Sequence, residues 1–229
     1  MRRHLSRAEQ AERTSDVEQA RQQAERCIQQ VEEGGWLDSD GRPLRLRGRM
    51  VLWRIYSRMA DSLLDAEDYN EALTLLHRGY SMAAAQTGEA EAAYRLGLTN
   101  QRAGDHNTAK HFFNMCMKIF GTLEDADGLG KSYKAMAKSL ESEENVDETV
   151  RCLEKLADIS LKSGLQHNLV DAYLSLGNIY FNRSQYLRAC EFFLQGYEVA
   201  RDLGDIPLLE KSQVAFCPSA FCVMKRVTP

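Results

Sequence analysis

Tyr173-Leu174-Ser175-Leu176-Gly177-Asn178-Ile179-Tyr180, followed by Tyr186, Ala189 and Phe193, decides the fold. Tyr173, Leu176, Gly177 and Tyr180 recur at spacings of three and one, so they share one face of a helix. Ala189 and Phe193 mark the apolar face of a second helix, and the break at Arg183-Ser184 is so short that this helix must return antiparallel to the first. The same arrangement surrounds Gly97, with Ala93, Leu96, Asn100, His106, Ala109 and Phe113. It also surrounds Ala137, and it surrounds Ala60, with Tyr56, Met59, Leu63, Tyr69, Ala72 and Leu76. The small central residues Ala60, Gly97, Ala137 and Gly177 lie 37, 40 and 40 positions apart. A fixed period of that length in a helical chain predicts an all-α solenoid of stacked antiparallel helix pairs. Such architectures build binding surfaces from neighbouring repeats.

Working outward, residues 48–204 hold four repeats, with turns at Ala66–Asp68, Ala103–Asp105, Glu143–Asn145 and Arg183–Ser184. Residues 48–206 contain no proline, so the strongest helix breaker is missing there. Residues 1–33 are polar, with Ala20, Ala24 and Cys27 on one face, and are expected to form a single degenerate or partial repeat helix. Residues 34–47, with Gly34-Gly35-Trp36 and Asp40-Gly41, are expected to be an inter-repeat insertion shaped as a hairpin or ordered loop. Asp205-Ile206-Pro207 starts a partial repeat helix over 205–217. Pro218 ends it, and 218–229 read as an irregular tail.

The small central residues have a mechanical reading. Gly97 or Gly177, faced by Ala109 or Ala189, would let the paired backbones approach closely, with Leu96, Tyr180, Phe113 and Phe193 filling the space around the crossing. Trp53, spaced with Met50 and Tyr56, reads as packing, and Trp36 as a plug above the groove.

Tyr173-x-x-Leu176-Gly177-x-x-Tyr180 with Ala189-x-x-x-Phe193 resembles the tetratricopeptide repeat. The consensus proline at the end of that repeat is missing here. The long period is similar to the extended repeats of kinesin light chains and of the spindle-orientation adaptor that binds GoLoco motifs. Trp36–Arg42, Ala90–Leu98 and Asp125–Lys138 further resemble a family of axonemal tetratricopeptide-repeat proteins, of which the chain looks like a partial or alternatively ended form. That resemblance implies a cytoskeletal address in the cilium or flagellum and a role in axoneme assembly and sperm motility. It implies protein partners that are axonemal, dynein-related or part of ciliary transport.

The net charge of −4 offers no general attraction to nucleic acid or to an anionic membrane surface. No signal-peptide pattern or membrane-length apolar run is read, and the cysteines are expected to be free thiols in a reducing cytoplasm. Exposed solenoid ends would favour self-association.

Lys131, Lys134 and Lys138 share one face of their helix. In the repeat register this face lines the inner surface, together with Tyr94, Leu98 and Gln101 and with Leu174, Asn178 and Phe181. These nine residues are the candidate groove for an acidic peptide or helix. The plainer reading is a solvated face whose lysines pair with Glu91 or Asp171. A carboxylate clamp of the chaperone-binding kind is disfavoured, because Ser57 and Asp61 stand where Lys and Asn are needed. His106, His111 and Cys116 are spaced poorly for a metal, as are Cys217 and Cys222. Gly128-x-Gly130 reads as a turn between repeats rather than a phosphate loop. No catalytic set, metal site or cofactor is expected, and the chain reads as a non-enzymatic scaffold.

Overall fold

The computed structural model describes residues 2–13, 17–32, 37, 41, 43–82 and 86–215. In chain order the helices are α1 (Arg2–Arg13), α2 (Val17–Glu32), α3 (Leu44–Asp65), α4 (Tyr69–Met82) and α5 (Gln86–Arg102). They continue as α6 (His106–Thr122), α7 (Ala126–Ser142), α8 (Val146–Ser163), α9 (Gln166–Asn182) and α10 (Tyr186–Leu203). Residues 206–215 are also helical. The chain divides into two compact units, Met1–Ile119 and Phe120–Pro229, the boundary falling in the last turn of α6.

The helix pairs of the four repeats are closed by the same local device. Glu67, Gly104, Glu144 and Ser184 adopt left-handed backbone at the end of the first helix of each repeat. The next residue's N–H then reaches back five positions, from Asp68 to the Leu63 carbonyl, Asp105 to Asn100, Asn145 to Leu140 and Gln185 to Tyr180. These bonds satisfy carbonyls that a helix end leaves open. Three of those residues cap the following helix as well: Asp68 accepts from the Glu71 N–H, Asp105 from Thr108 and Asn145 from Glu148. Gly164 and Gly204 take the left-handed position between repeats.

The central crossing differs from the sequence expectation in one respect. The space left by Gly97 and Gly177 is taken by an aromatic ring rather than by an approaching backbone. A Cβ on Gly97 would sit 2.5 Å from the Phe113 ring, and one on Gly177 would sit 2.5 Å from the Phe193 ring. Phe113 and Phe193 are among the most completely buried side chains. The repeats centred on Ala60 and Ala137 place Leu76 and Leu153 at the position of the phenylalanine, and both are buried. Glycine is thus matched with phenylalanine and alanine with leucine, which keeps the volume of the crossing nearly constant.

The N-terminal region corrects a second expectation. Residues 1–33 contain two helices, α1 and α2, rather than one. Leu5, Ala8 and Ala11 form a short buried stripe on α1, and Ala20, Ala24, Cys27 and Ile28 form the facing one on α2. So narrow a stripe in a polar run is a weak periodic signal. The expected insertion is shorter than 34–47, because α3 begins at Leu44, whose side chain is buried. Within it an isolated antiparallel bridge joins Leu37 to Pro43. Trp36, the tail from 216 and the cysteines at 217 and 222 lie outside the described residues. Trp53 packs on Gly79, where an added Cβ would meet its ring at 2.7 Å.

Candidate functional site

The second unit carries the lysine face. Lys131, Lys134 and Lys138 are all exposed on α7. Lys134 donates to Asp171 of α9 at 2.5 Å, and Lys211, one repeat beyond Asp171, donates to the other oxygen of the same carboxylate at 3.2 Å. Partial burial of Asp171 works against its charge, but the hydrogen bonds and charges of Lys134 and Lys211 outweigh it and hold the carboxyl below the ordinary range. Lys131 pairs along its own helix with Asp127. Lys138 and the neighbouring-repeat Asn178 are exposed, with no ion pair on Lys138 among the described residues.

Of the apolar flanks, Phe181 is half-buried and meets the Tyr186 ring edge-on at 5.3 Å. Leu174 is 4% exposed and belongs to the core cluster of this unit, so it cannot line an open groove. Its side chain packs over Gly196 of α10, which supplies no side chain to hold it outward.

In the first unit Tyr94, Leu98 and Gln101 are half-buried on α5. The Tyr94 ring lies 6.1 Å from that of Phe113. Beside them Arg95 bridges Asp61 of α3 at 2.8 Å and Glu91 of its own helix at 3.2 Å. Asp61 is thereby engaged and Ser57 buried, which removes both from clamp chemistry.

Cys116 is buried and its thiol donates to the Phe113 carbonyl, while His111 packs its ring against Phe112. Among the described residues no group of three or more His, Cys, Asp or Glu could hold a metal. Burial pushes the thiols of Cys27 and Cys152 up, away from the reactive thiolate. No described helix is long and apolar enough to cross a membrane.

Sequence reasoning missed a cleft in the first unit. A volume of about 480 Å³ opens among Glu18 and Arg21 of α2, Met59, Ser62 and Leu63 of α3, and Glu71, Leu75 and Arg78 of α4. Arg21 divides its guanidinium between Glu18 and Glu25 of its own helix, and Glu25 accepts the Tyr56 hydroxyl at 2.8 Å. That clasp with Arg21 holds the Glu18 carboxyl down at about 2. Burial, with the bond to Glu25, pushes Tyr56 up to about 12. The signal was available in the repeat register only against the last full repeat, where Tyr180 and Phe192 stand at the positions of Leu63 and Leu75.

With paired helices, capped turns and an open polar face in place, the chain is a tetratricopeptide-repeat protein. The sequence profile described as "Tetratricopeptide repeat" matches residues 91–122. The chain is 32% identical over 184 residues to "Tetratricopeptide repeat protein 29" of Homo sapiens, a match covering 79% of this chain and 39% of that protein. It therefore spans about two fifths of the length of that relative. Among solved structures it is similar to the apo form of RapI, with a TM-score of 0.70 at 13% identity over 97% of this chain and 71% of that one. It is also similar to a Podosopora anserina putative kinesin light chain of nearly identical repeats, with a TM-score of 0.62 at 16% identity over 76% of this chain and 87% of that one. These two likenesses concern the fold alone.

Proposed function

We propose that the chain is a non-enzymatic protein–protein interaction scaffold of the ciliary or flagellar axoneme, needed for axoneme assembly and sperm motility. The observation that carries this reading is the 32% identity over 184 residues to "Tetratricopeptide repeat protein 29", taken with the resemblance of Trp36–Arg42, Ala90–Leu98 and Asp125–Lys138 to the axonemal repeat family. Its partners are axonemal, dynein-related or ciliary transport proteins, and its compartment is the cytoplasm and cytoskeleton of the cilium. Tagged chain expressed in ciliated cells localises to the axoneme and recovers such proteins in a pulldown. Diffuse cytosolic distribution with no ciliary protein recovered overturns the reading.

A second reading is a cytosolic cargo or polarity adaptor that binds an acidic peptide or helix. It is favoured by the exposed Lys138, with the exposed Asn178 at the same register position of the next repeat. Lys131 and Lys134 already have carboxylate partners, so Lys138 is the first point of contact for an incoming acid. Lys138→Glu weakens binding of an acidic peptide about tenfold, worth about 1.4 kcal/mol, and the triple change with Lys131→Glu and Lys134→Glu abolishes it. Binding that is unchanged by the triple change sinks this reading.

A further inference from the structure

The cleft beside α3 lies where the first repeat differs in side-chain size from the last full one. In the last full repeat, Tyr180 and Phe192 stack face to face, with centroids 5.4 Å apart and planes at 4°. The Arg188 guanidinium caps that pair, 5.5 Å from the Tyr180 centroid. In the first repeat the three corresponding positions carry Leu63, Leu75 and Glu71. Both rings are missing and the capping cation is replaced by an acid. Met59, Leu63 and Leu75 remain as an apolar floor, and the opening of about 480 Å³ lies above them. That falls within the usual range for a small-molecule site.

The walls are held apart. Arg21 is clasped by Glu18 and Glu25, and Glu25 is held in turn by Tyr56, so the α2 side cannot fold into the opening without breaking those bonds. On the α4 side Glu71 and Arg78 are exposed and make no ion pair among the described residues. They sit two turns apart, roughly 10 Å along the helix. The cleft is thus an apolar floor with an open acid at one end of its rim and an open base at the other. It uses the face of α3 opposite Asp61, and so is separate from the Asp61–Arg95 tie considered above.

We propose that this cleft docks a partner peptide that inserts one aromatic side chain against Met59, Leu63 and Leu75. A basic residue of the peptide lies toward Glu71 and an acidic one toward Arg78. The guest ring supplies what Tyr180 and Phe192 supply internally in the last repeat, and its charges complement the two open groups on the rim.

The probe is the capped pentapeptide Lys-Gly-Trp-Gly-Glu, whose charged ends lie roughly 13 Å apart when extended. Binding is read from the Met59 methyl resonance of methyl-labelled full chain, assigned with Met59→Leu. A saturable shift is expected with the pentapeptide and none when its tryptophan is replaced by alanine. Leu75→Phe, which rebuilds one missing ring from within, weakens binding at least tenfold without lowering the melting temperature. Glu71→Lys, a surface change that leaves the floor intact, weakens it about fivefold and restores it for Glu-Gly-Trp-Gly-Glu. No shift at millimolar peptide, or equal shifts in wild type and both variants, overturns the proposal. So does N-acetyltryptophanamide binding as tightly as the pentapeptide, which would make the cleft a small-aromatic site. Nuclear Overhauser contacts from the Met59 methyl to a segment of this chain other than α2, α3 and α4, seen before any probe is added, overturn it as well.

Discussion

The two units are alike inside and opposite on their faces. Each contains one alanine–leucine crossing and one glycine–phenylalanine crossing: Ala60 with Leu76 and Gly97 with Phe113 in the first, Ala137 with Leu153 and Gly177 with Phe193 in the second. On the face, repeats are tied by an ion pair whose polarity reverses. In the first unit the anion Asp61 is on the earlier helix and the cation Arg95 on the later one. In the second unit Lys134 is on the earlier helix and Asp171 on the later one, with Lys211 following. The interior is therefore a volume constraint that several residue pairs satisfy. The face is a charge pattern that distinguishes one repeat from the next, and specificity for a partner resides there.

The most severe way to break the interior half of this comparison is Gly177→Trp. A single Cβ there already falls within 2.5 Å of the Phe193 ring. An indole forces the paired helices α9 and α10 apart, at a cost of about 3 kcal/mol. The melting temperature falls by roughly 6–12 °C, at about 2–4 °C per kcal/mol for a chain of this size. An unchanged melting curve would show that Gly177 is not at the crossing.

A milder pair of changes sharpens the comparison. Gly177→Ala alone costs about 1–2 kcal/mol, because the methyl group presses on a buried ring. Phe193→Leu alone costs a similar amount through the cavity it leaves over Gly177. Together they recreate the Ala137–Leu153 pairing of the preceding repeat, and the double variant regains about 1 kcal/mol or more relative to the sum of the single changes. Strict additivity in a denaturant double-mutant cycle would refute volume compensation.

Some of this was legible from spacing alone and some was not. The four intra-repeat turns were, because each falls between two periodic apolar faces, and three of them carry a capping residue, Asp68, Asp105 or Asn145. The partner of Gly97 and Gly177 was not, because period identifies a small residue without saying whether backbone or ring fills the gap. Helix α1 was hidden because its buried stripe is only Leu5, Ala8 and Ala11. Leu174 was placed on the groove by its register position, yet Gly196 beneath it lets its side chain fold inward. On the face, the register named Lys134 and Asp171 as neighbours but not Lys211, which lies in the helical segment after the last full repeat. The cleft needed a comparison of side-chain size between repeats, with Leu63 at the motif position of Tyr180 and Leu75 at the position of Phe192 in the last full repeat.

The smallest effect tests the face half of the comparison. Asp171 holds two lysines from helices on either side of it, so Asp171→Asn lowers stability by about 1 kcal/mol near neutral pH. Its carboxyl is held below the ordinary range in the folded chain. Its contribution is therefore fully present above the unfolded value and disappears as pH falls through the folded one. The stability difference between wild type and Asp171→Asn stays constant from about pH 5 to 8 and closes below about pH 4. The corresponding tie in the first unit behaves differently if its anion is kept and its cation removed. Arg95→Met leaves Asp61 exposed and solvated, so the loss is smaller than for Asp171, whose side chain is only 25% exposed against 53% for Asp61. Equal losses from the two variants would mean that burial of the acid does not set the strength of these ties, and that the reversed polarity alone distinguishes the two faces.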